Sequence, residues 1–487
     1  MGFNIQAKRS KFFQELNEYR QKEFFDLNVH KVLPCIDNIY YSIFISGDYN
    51  DNEYLRTMIC DLLEKKQIIQ ASHEDIPFLD DEIFMTSGGF NIYKFRFTSP
   101  ELYDIFILDY LPNNDTPRIL IQLRAYGLWL HGSEKMINDS FLVTKQLFQE
   151  YYPEVIFSRV RENRIDYCYH TNLISSPYKT FSDTNLENTL HTTFSTFGFR
   201  GHIDREQADI RLIKDYFSLG ERSSNNIFVR IYNKALEVVE MAYKSFFFAV
   251  WYQNGLINAY DKYCYEYAYE KKDLNYIYKA MCEFYLMYGS DDEIKADFQK
   301  ALAEDLAPSK YKEVVKGIMP DCTTVINVEF ETKRKFYYYS DKFIDGMLKT
   351  NNRRLVDPAL ERIYKIIDNR GIFLDYLTSN TLSFKTSDDE YVDWWSRIRR
   401  VKLPDTVVDA PELIRDYSKE LDKAIVIKRA ANAVGTVALY SGNTGIDFQE
   451  DISDLLSNFN DNDIFYDSYK KNKLKKYNRL KNMIDLE

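Results

Sequence analysis

The stretch from Asp215 to Glu237, DYFSLGERSSNNIFVRIYNKALE, constrains this chain more than any other. Gly220 to Asn226 is polar and turn-prone, and it runs into the β-branched and aromatic segment Ile227–Tyr232. A period of two puts Arg230 and Tyr232 on the same face of the predicted strand. That face presents a phenol beside a guanidinium, with Asn233, Lys234 and the Glu237 carboxylate just beyond it. Phosphotyrosyl transfer asks for this combination: a phenol to attack a phosphodiester, cations to hold the phosphate, and a carboxylate to hold a metal or a proton. A plain hairpin with a surface tyrosine satisfies the same pattern, so the stretch alone leaves both readings open.

The chain has 487 residues, 45% hydrophobic and 28% charged, enough to bury a large core in two or three domains. It contains no apolar run near the length of a membrane span, and Ser245 to Trp251 reads as buried core. The start, Met1 to Gln6, lacks a signal-peptide pattern and a myristoylation signal, so the expected location is cytoplasmic. Six cysteines without a close pair read as free thiols, which argues against a disulfide framework or structural zinc. A net charge of −11 opposes a non-specific coat on nucleic acid and leaves room only for local phosphate contacts. Candidate basic clusters are Lys8-Arg9 with Lys11, Arg159/Arg161/Arg164, Lys333-Arg334-Lys335, Arg397/Arg399/Arg400/Lys402, and Lys470 to Lys481. Such a cluster is more often a solvated face than a phosphate track.

Periodicity predicts a helix over 7–29, a strand over 37–45, a helix over 54–70, and strands over 91–97, 103–111 and 118–130. A helix over 141–151 and a strand over 163–169 follow, and a second sheet half covers 193–232. Residues 236–319 read as helical, 323–332 as a strand, and 340–487 as mostly helical with a charged tail. This order implies an α+β protein built on an antiparallel sheet.

Two further strands carry chemistry. In RIDYCYH (164–170), alternation puts Asp166, Cys168 and His170 on one face, where Asp166 and His170 are candidate metal ligands. In NVEFETK (327–333), Glu329 and Glu331 share a face. A strand with one polar side explains both patterns as well. No Walker A loop, GxSxG elbow or HExxH helix is present, so nucleotide hydrolysis, serine hydrolysis and zincin chemistry have no support.

Taken in order, RIDYCYH (164–170), DYFSLGER (215–222), RIYNKALE (230–237) and NVEFETK (327–333) resemble the motifs of the Rep_trans family. That family comprises replication initiators of rolling-circle plasmids and related relaxases of conjugative elements and phages. The resemblance covers roughly 35 to 335, and RIYNKxxE is its most specific part. It implies an HUH-like, Rep-type palm in two sheet halves, residues 35–335, with a helical insertion at about 238–320. An N-terminal helix (1–34) and a helical C-terminal domain (336–487) would flank it. It also implies Tyr232 as the nicking nucleophile with Lys234 beside it, Arg222 and Arg230 on phosphates, and Asp166, His170, Asp215, Glu237 and Glu329 around Mg²⁺ or Mn²⁺. The chain departs from the family pattern at His170 (for an Asp), Asp215 (for a Glu) and Asn327 (for an Arg).

The implied activity is site-specific DNA nicking and closing through a 5′-phosphotyrosyl intermediate, in rolling-circle replication or conjugative transfer. Its partners would be double-stranded origin or hairpin DNA, the single-stranded product, a host helicase and a second copy of the chain, with no membrane. Two alternatives belong to other classes: an origin-binding protein that does not cut, and a scaffold that recruits a helicase.

Overall fold

The computed structural model describes residues 8–27, 31–46, 53–80, 82–110, 116–174, 176–180, 189–192, 210–213, 216–223, 225–241, 244–350 and 357–401, with isolated positions between 430 and 453. The described residues form thirteen strands: β1 (Val32–Ile45), β2 (Ile76–Phe78), β3 (Ile83–Thr86), β4 (Tyr93–Ser99), β5 (Tyr103–Leu108), β6 (Ile119–Leu123), β7 (Phe157–Thr171), β8 (Leu190–Thr192), β9 (Ile210–Ile213), β10 (Tyr216–Leu219), β11 (Ile227–Asn233), β12 (Ile326–Lys333) and β13 (Leu382–Phe384). Eleven of them make one antiparallel sheet in the order β2-β3-β4-β5-β6-β1-β7-β12-β11-β10-β9, and β13 pairs with β8 separately. The protein is therefore α+β with a large antiparallel sheet.

The sheet consists of two halves that meet at β1 and β7. Each half begins with its central strand, places its last strand (β6 or β12) beside it, and adds the others outward in reverse order. The two central strands are also the longest.

One face of the sheet is apolar throughout. Ile39, Tyr41 and Ile43 of β1 and Ile119 and Ile121 of β6 pack under the helices Glu53–Ser72 and Ala125–Gln149. On the other half, Ile165, Tyr167 and Tyr169 of β7 and Val328 and Phe330 of β12 share that core with Phe336, Tyr337, Phe373, Trp395 and Ile398. Arg362 clamps this second cover to the sheet. It donates to both oxygens of buried Glu162 on β7 (2.8 and 2.7 Å), to Asp341 (2.7 Å) and to Asp345 (3.0 Å). The helical insertion forms a separate core, in which Tyr260, Phe284, Tyr285 and Phe298 pack against Phe12, Phe13, Phe24 and Phe25 near the start of the chain.

Three expectations change. The predicted helix over 7–29 is two helices, Lys11–Glu15 and Glu18–Phe25, because the Asn17 side chain caps a new start by accepting from the Arg20 amide at 2.9 Å. The predicted strand over 118–130 ends at Leu123, and Ala125–Gln149 is helical on both sides of a kink at Gly132 (φ 80°). An uninterrupted apolar run has no period to separate strand from helix; the break comes from Arg124, which turns the chain and pairs with buried Asp104 at 2.7 Å. Of the second sheet half expected over 193–232, the described residues form β9 to β11 from Ile210 onward, and that half also takes in β7 and β12; 193–209 lie outside the described residues, as does nearly all of the predicted helical region beyond 401.

Replacing Arg362 with Met would leave Glu162 buried without its cation. Unfolding free energy from urea titration should fall by about 3–5 kcal/mol, and the double variant Glu162→Met/Arg362→Met should recover part of that loss.

A polar sheet face around Tyr232

Opposite the apolar face, the central strands carry a lattice of polar side chains. The register defines its rungs: Asn38–Asp166–Glu331 on β1, β7 and β12; Cys35–Cys168–Glu329–Arg230 on β1, β7, β12 and β11; His170–Asn327–Tyr232–Tyr216 on β7, β12, β11 and β10. Alternation places these residues on one face, as the sequence predicts for Asp166/Cys168/His170, Glu329/Glu331 and Arg230/Tyr232. A bulge in β1 between Ile36 and Asn38 turns Asp37 onto the same face.

The Tyr232 hydroxyl is fully engaged. It donates to Glu329 Oε2 (2.9 Å) and accepts from Asn327 Nδ2 (3.1 Å) and Lys234 Nζ (3.2 Å). Arg230 bonds the other Glu329 oxygen, and its guanidinium lies 5.0 Å from the Tyr232 ring centroid. Burial, reinforced by the Glu329 charge, pushes the Tyr232 phenol well above its ordinary range, so it is protonated at neutral pH. Burial alone would raise Glu329 too, but Arg230 and Lys234 outweigh it and hold the carboxylate below its ordinary value.

Lys234 follows β11 directly and is the hub of the site. The backbone turns at Asn233, whose side chain caps the helix Lys234–Glu240 by accepting from the Leu236 amide. The ammonium therefore points back under the sheet, 2.6 Å from Glu237 Oε2 and 3.5 Å from Asp37 Oδ2. Burial would lower its pKa, but Tyr232, Asp37, Glu237 and Glu329 raise it well above 10.5, so it is a cation and not a base. Asp37 also accepts from Trp129 Nε1 at 3.0 Å. Burial works against its charge, yet Lys234 and His170 hold it well below the carboxylate range.

His170 and Asp166 stand differently from expectation. Trp251 Nε1 donates to His170 Nδ1 at 3.0 Å. An indole N–H can only donate, so the imidazole proton sits on Nε2, which lies 3.8 Å from Asp37 Oδ2. Burial lowers the His170 pKa and keeps the ring neutral. With its proton on Nε2 and its Nδ1 lone pair taken, His170 does not offer a metal the free lone pair expected of a ligand.

Asp166 is held by Arg164 through both oxygens (2.7 and 2.6 Å) and by Asn38 Nδ2 (3.1 Å). Arg164 also contacts Glu331 at 2.9 Å, as does Arg222. Burial, with Glu329 and Glu331 nearby, pushes the Asp166 carboxyl up to about 6 despite Arg164. Asp166 lies two strands and four residue positions from Tyr232, on the order of 16 Å between backbones.

The structure thus brings together Tyr232, Lys234, Glu237, Glu329 and Arg230, and places Asp166 and Arg222 in a neighbouring ion-pair group. Asp215 lies outside the described residues. Sequence reading missed Asp37, Trp129 and Trp251, and treated Asn327 only as a departure from an arginine. Asp37 follows a bulge that no alternation reveals, and the two tryptophans sit on helices far away in sequence. Ligand atoms of Asp37, Cys168 and Glu329 lie within 4.8 Å of one another, as do those of Cys35, Asp37 and His170. Asp37 and Glu329 are the two carboxylates of this set. They are hard oxygen donors of the kind Mg²⁺ and Mn²⁺ accept.

No protein-family model matches the chain. It is similar to the serine/threonine-protein phosphatase UIS2 of Plasmodium berghei (strain Anka), 28% identical over 120 residues. The match covers 25% of this chain and 9% of that protein, so the chain spans less than a tenth of the length of the relative it matches.

Because the Asp37 pKa is depressed on folding, its ionisation stabilises the protein above the unfolded value near 4 and is lost as pH falls through the folded value. The difference in unfolding free energy between the wild type and Asp37→Asn, from urea titrations, should therefore be constant above about pH 5 and shrink below about pH 4. A difference that does not change with pH would sink this assignment.

Proposed function

We propose that the chain is a DNA strand transferase that nicks and rejoins through Tyr232. The observation that carries this reading is the coordination of the Tyr232 hydroxyl by one proton acceptor, Glu329, and two donors, Lys234 and Asn327. Attack would form a bond from the phenolic oxygen to phosphorus and break the bond from phosphorus to the 3′ oxygen. The phenol proton passes to Glu329, and the leaving 3′ oxygen gains a proton to become a hydroxyl. The 5′ phosphate stays on the enzyme as a phosphotyrosine, and the retained ester energy permits rejoining without a nucleotide cofactor.

Lys234 and Asn327 supply hydrogen bonds to the oxygen as its negative charge develops, where low dielectric makes them strongest. Arg230, with a side chain 22% exposed, is the cation placed to leave Glu329 for an incoming phosphate. A divalent ion belongs to this proposal: Asp37 and Glu329 would hold it, and it would withdraw charge from the scissile phosphate. Among the described residues no helix is long and apolar enough to cross a membrane.

One observation favours a second reading, a DNA-binding protein that does not cut. Tyr232 is only 7% exposed, so a phosphodiester reaches the phenol only after Arg230 and Lys234 shift from its ring.

Supercoiled plasmid carrying the origin of the chain's own genetic element separates the two, with Mn²⁺ or Mg²⁺ present. The transferase reading expects open circles with protein on the 5′ end. Tyr232→Phe should abolish the covalent product, a fall of at least about 10³-fold, while keeping DNA binding. Glu329→Gln should slow nicking by roughly 10²-fold. Binding by wild type and Tyr232→Phe with nicking by neither would leave the binding protein.

A further inference from the structure

Beyond the Tyr232 rung, the same face of β7 turns cationic. The bulged residue Asn163 shifts the alternation of β7 by one residue: Glu162 faces the Arg362 clamp, while Arg161 and Arg159 take the polar face beside Ser42 and Phe44 of β1. The Arg159 and Arg161 guanidinium carbons lie 4.1 and 4.7 Å from the Phe44 ring centroid. Stacking occupies the flat face of a guanidinium and leaves its in-plane N–H donors for another acceptor.

Among the described residues these arginines have no counter-ion. Arg159, Arg161 and Arg334 form no ion pair among the described residues, and Arg161 Nε is buried with no hydrogen-bond partner. Burial and the charges of Arg334 and Arg159 lower the Arg161 pKa to about 10. Three like charges held together, one with an orphaned buried donor, form a site whose missing component is an anion. The contrast with the rest of the face is informative, because Arg164, Arg222, Arg230 and Lys234 are all neutralised by carboxylates.

We infer that Arg159, Arg161 and Arg334 form a phosphate-binding subsite for a single DNA strand running along the polar face of β7 towards Tyr232. The subsite lies on the order of 30 Å from Tyr232, at 3.4 Å per residue along β7 and two strands across. Tyr40, 5.4 Å from the Arg164 guanidinium, and its aromatic neighbour Phe90, 37% exposed, flank the path between them and offer surfaces for bases. The inference rests on the strand-transferase reading for its direction, but its anion chemistry stands on the arginines alone.

The test is fluorescence anisotropy of the full chain with a labelled single-stranded oligonucleotide of about 20 nucleotides, repeated across salt concentrations. Arg159→Gln/Arg334→Gln changes two exposed residues and leaves the half-buried Arg161 in place. It should weaken binding about tenfold at low salt and reduce the slope of log K against log salt by about 1.4, or 0.7 for each lost contact. Arg161→Gln should reduce the slope by about 0.7, and Arg161→Lys should keep it. Unchanged affinity and slope in both Gln variants would overturn the subsite. Displacement by inorganic phosphate without any loss of oligonucleotide affinity in the variants would reduce it to a small-anion site, which also overturns the proposal. Tyr232→Phe should keep the full slope. A wild-type protein with the full slope but no nicking sinks the transferase reading alone, and wild-type nicking with an unchanged slope in the arginine variants sinks the strand path alone.

Discussion

One buried ammonium ties the site together. Lys234 joins β11, through the Tyr232 hydroxyl, to Asp37 on β1 and to Glu237 on its own helix. A lysine that is 3% exposed keeps its charge only because carboxylates repay its lost hydration, and Asp37 keeps its own charge for the same reason. Neither group is stable in this place without the other. That mutual dependence fixes the turn after β11 and with it the orientation of the Tyr232 hydroxyl.

The sheet makes this possible by separating two duties between its faces. The apolar face carries the stability of the fold, with helices packed over it from both ends of the chain. The opposite face is then free to collect charge at its centre, where β1, β7, β12 and β11 lie side by side. Charge there is costly to bury, and the lattice meets the cost by pairing almost every cation with a carboxylate. The arginines at the far end of β7, unpaired among the described residues, stand out against that balance. A chain with a net charge of −11 can approach a phosphate backbone only where such local cations face outward.

Much of the site was legible before the fold. Strict alternation in RIDYCYH, RIYNK and NVEFETK put the right side chains on a common face, and the register confirms that these strands are neighbours in space. What alternation does not carry is position along a strand. Asp166 and Tyr232 share a face but stand four residue positions out of register, so the expected single cluster is two. Nor does it reveal hydrogen-bond polarity: His170 has the composition of a ligand, but an indole N–H from a distant helix settles where its proton lies. The helix from Ala125 was misread as strand for a related reason, since a continuous apolar run has no period, and Trp129 went unnoticed with it.

The sequence by itself determined the α+β class, the three polar strands and the tyrosine flanked by cations, because these follow from local periodicity and residue type. The tertiary structure decided which groups meet. Asp37 enters through a bulge, Trp129 and Trp251 through helices that share one apolar cluster around Phe247, and Asn327 through its place directly across from Tyr232. Each of those contacts joins residues far apart in the chain, and strand register, helix packing and the burial of charge, not local propensity, select them.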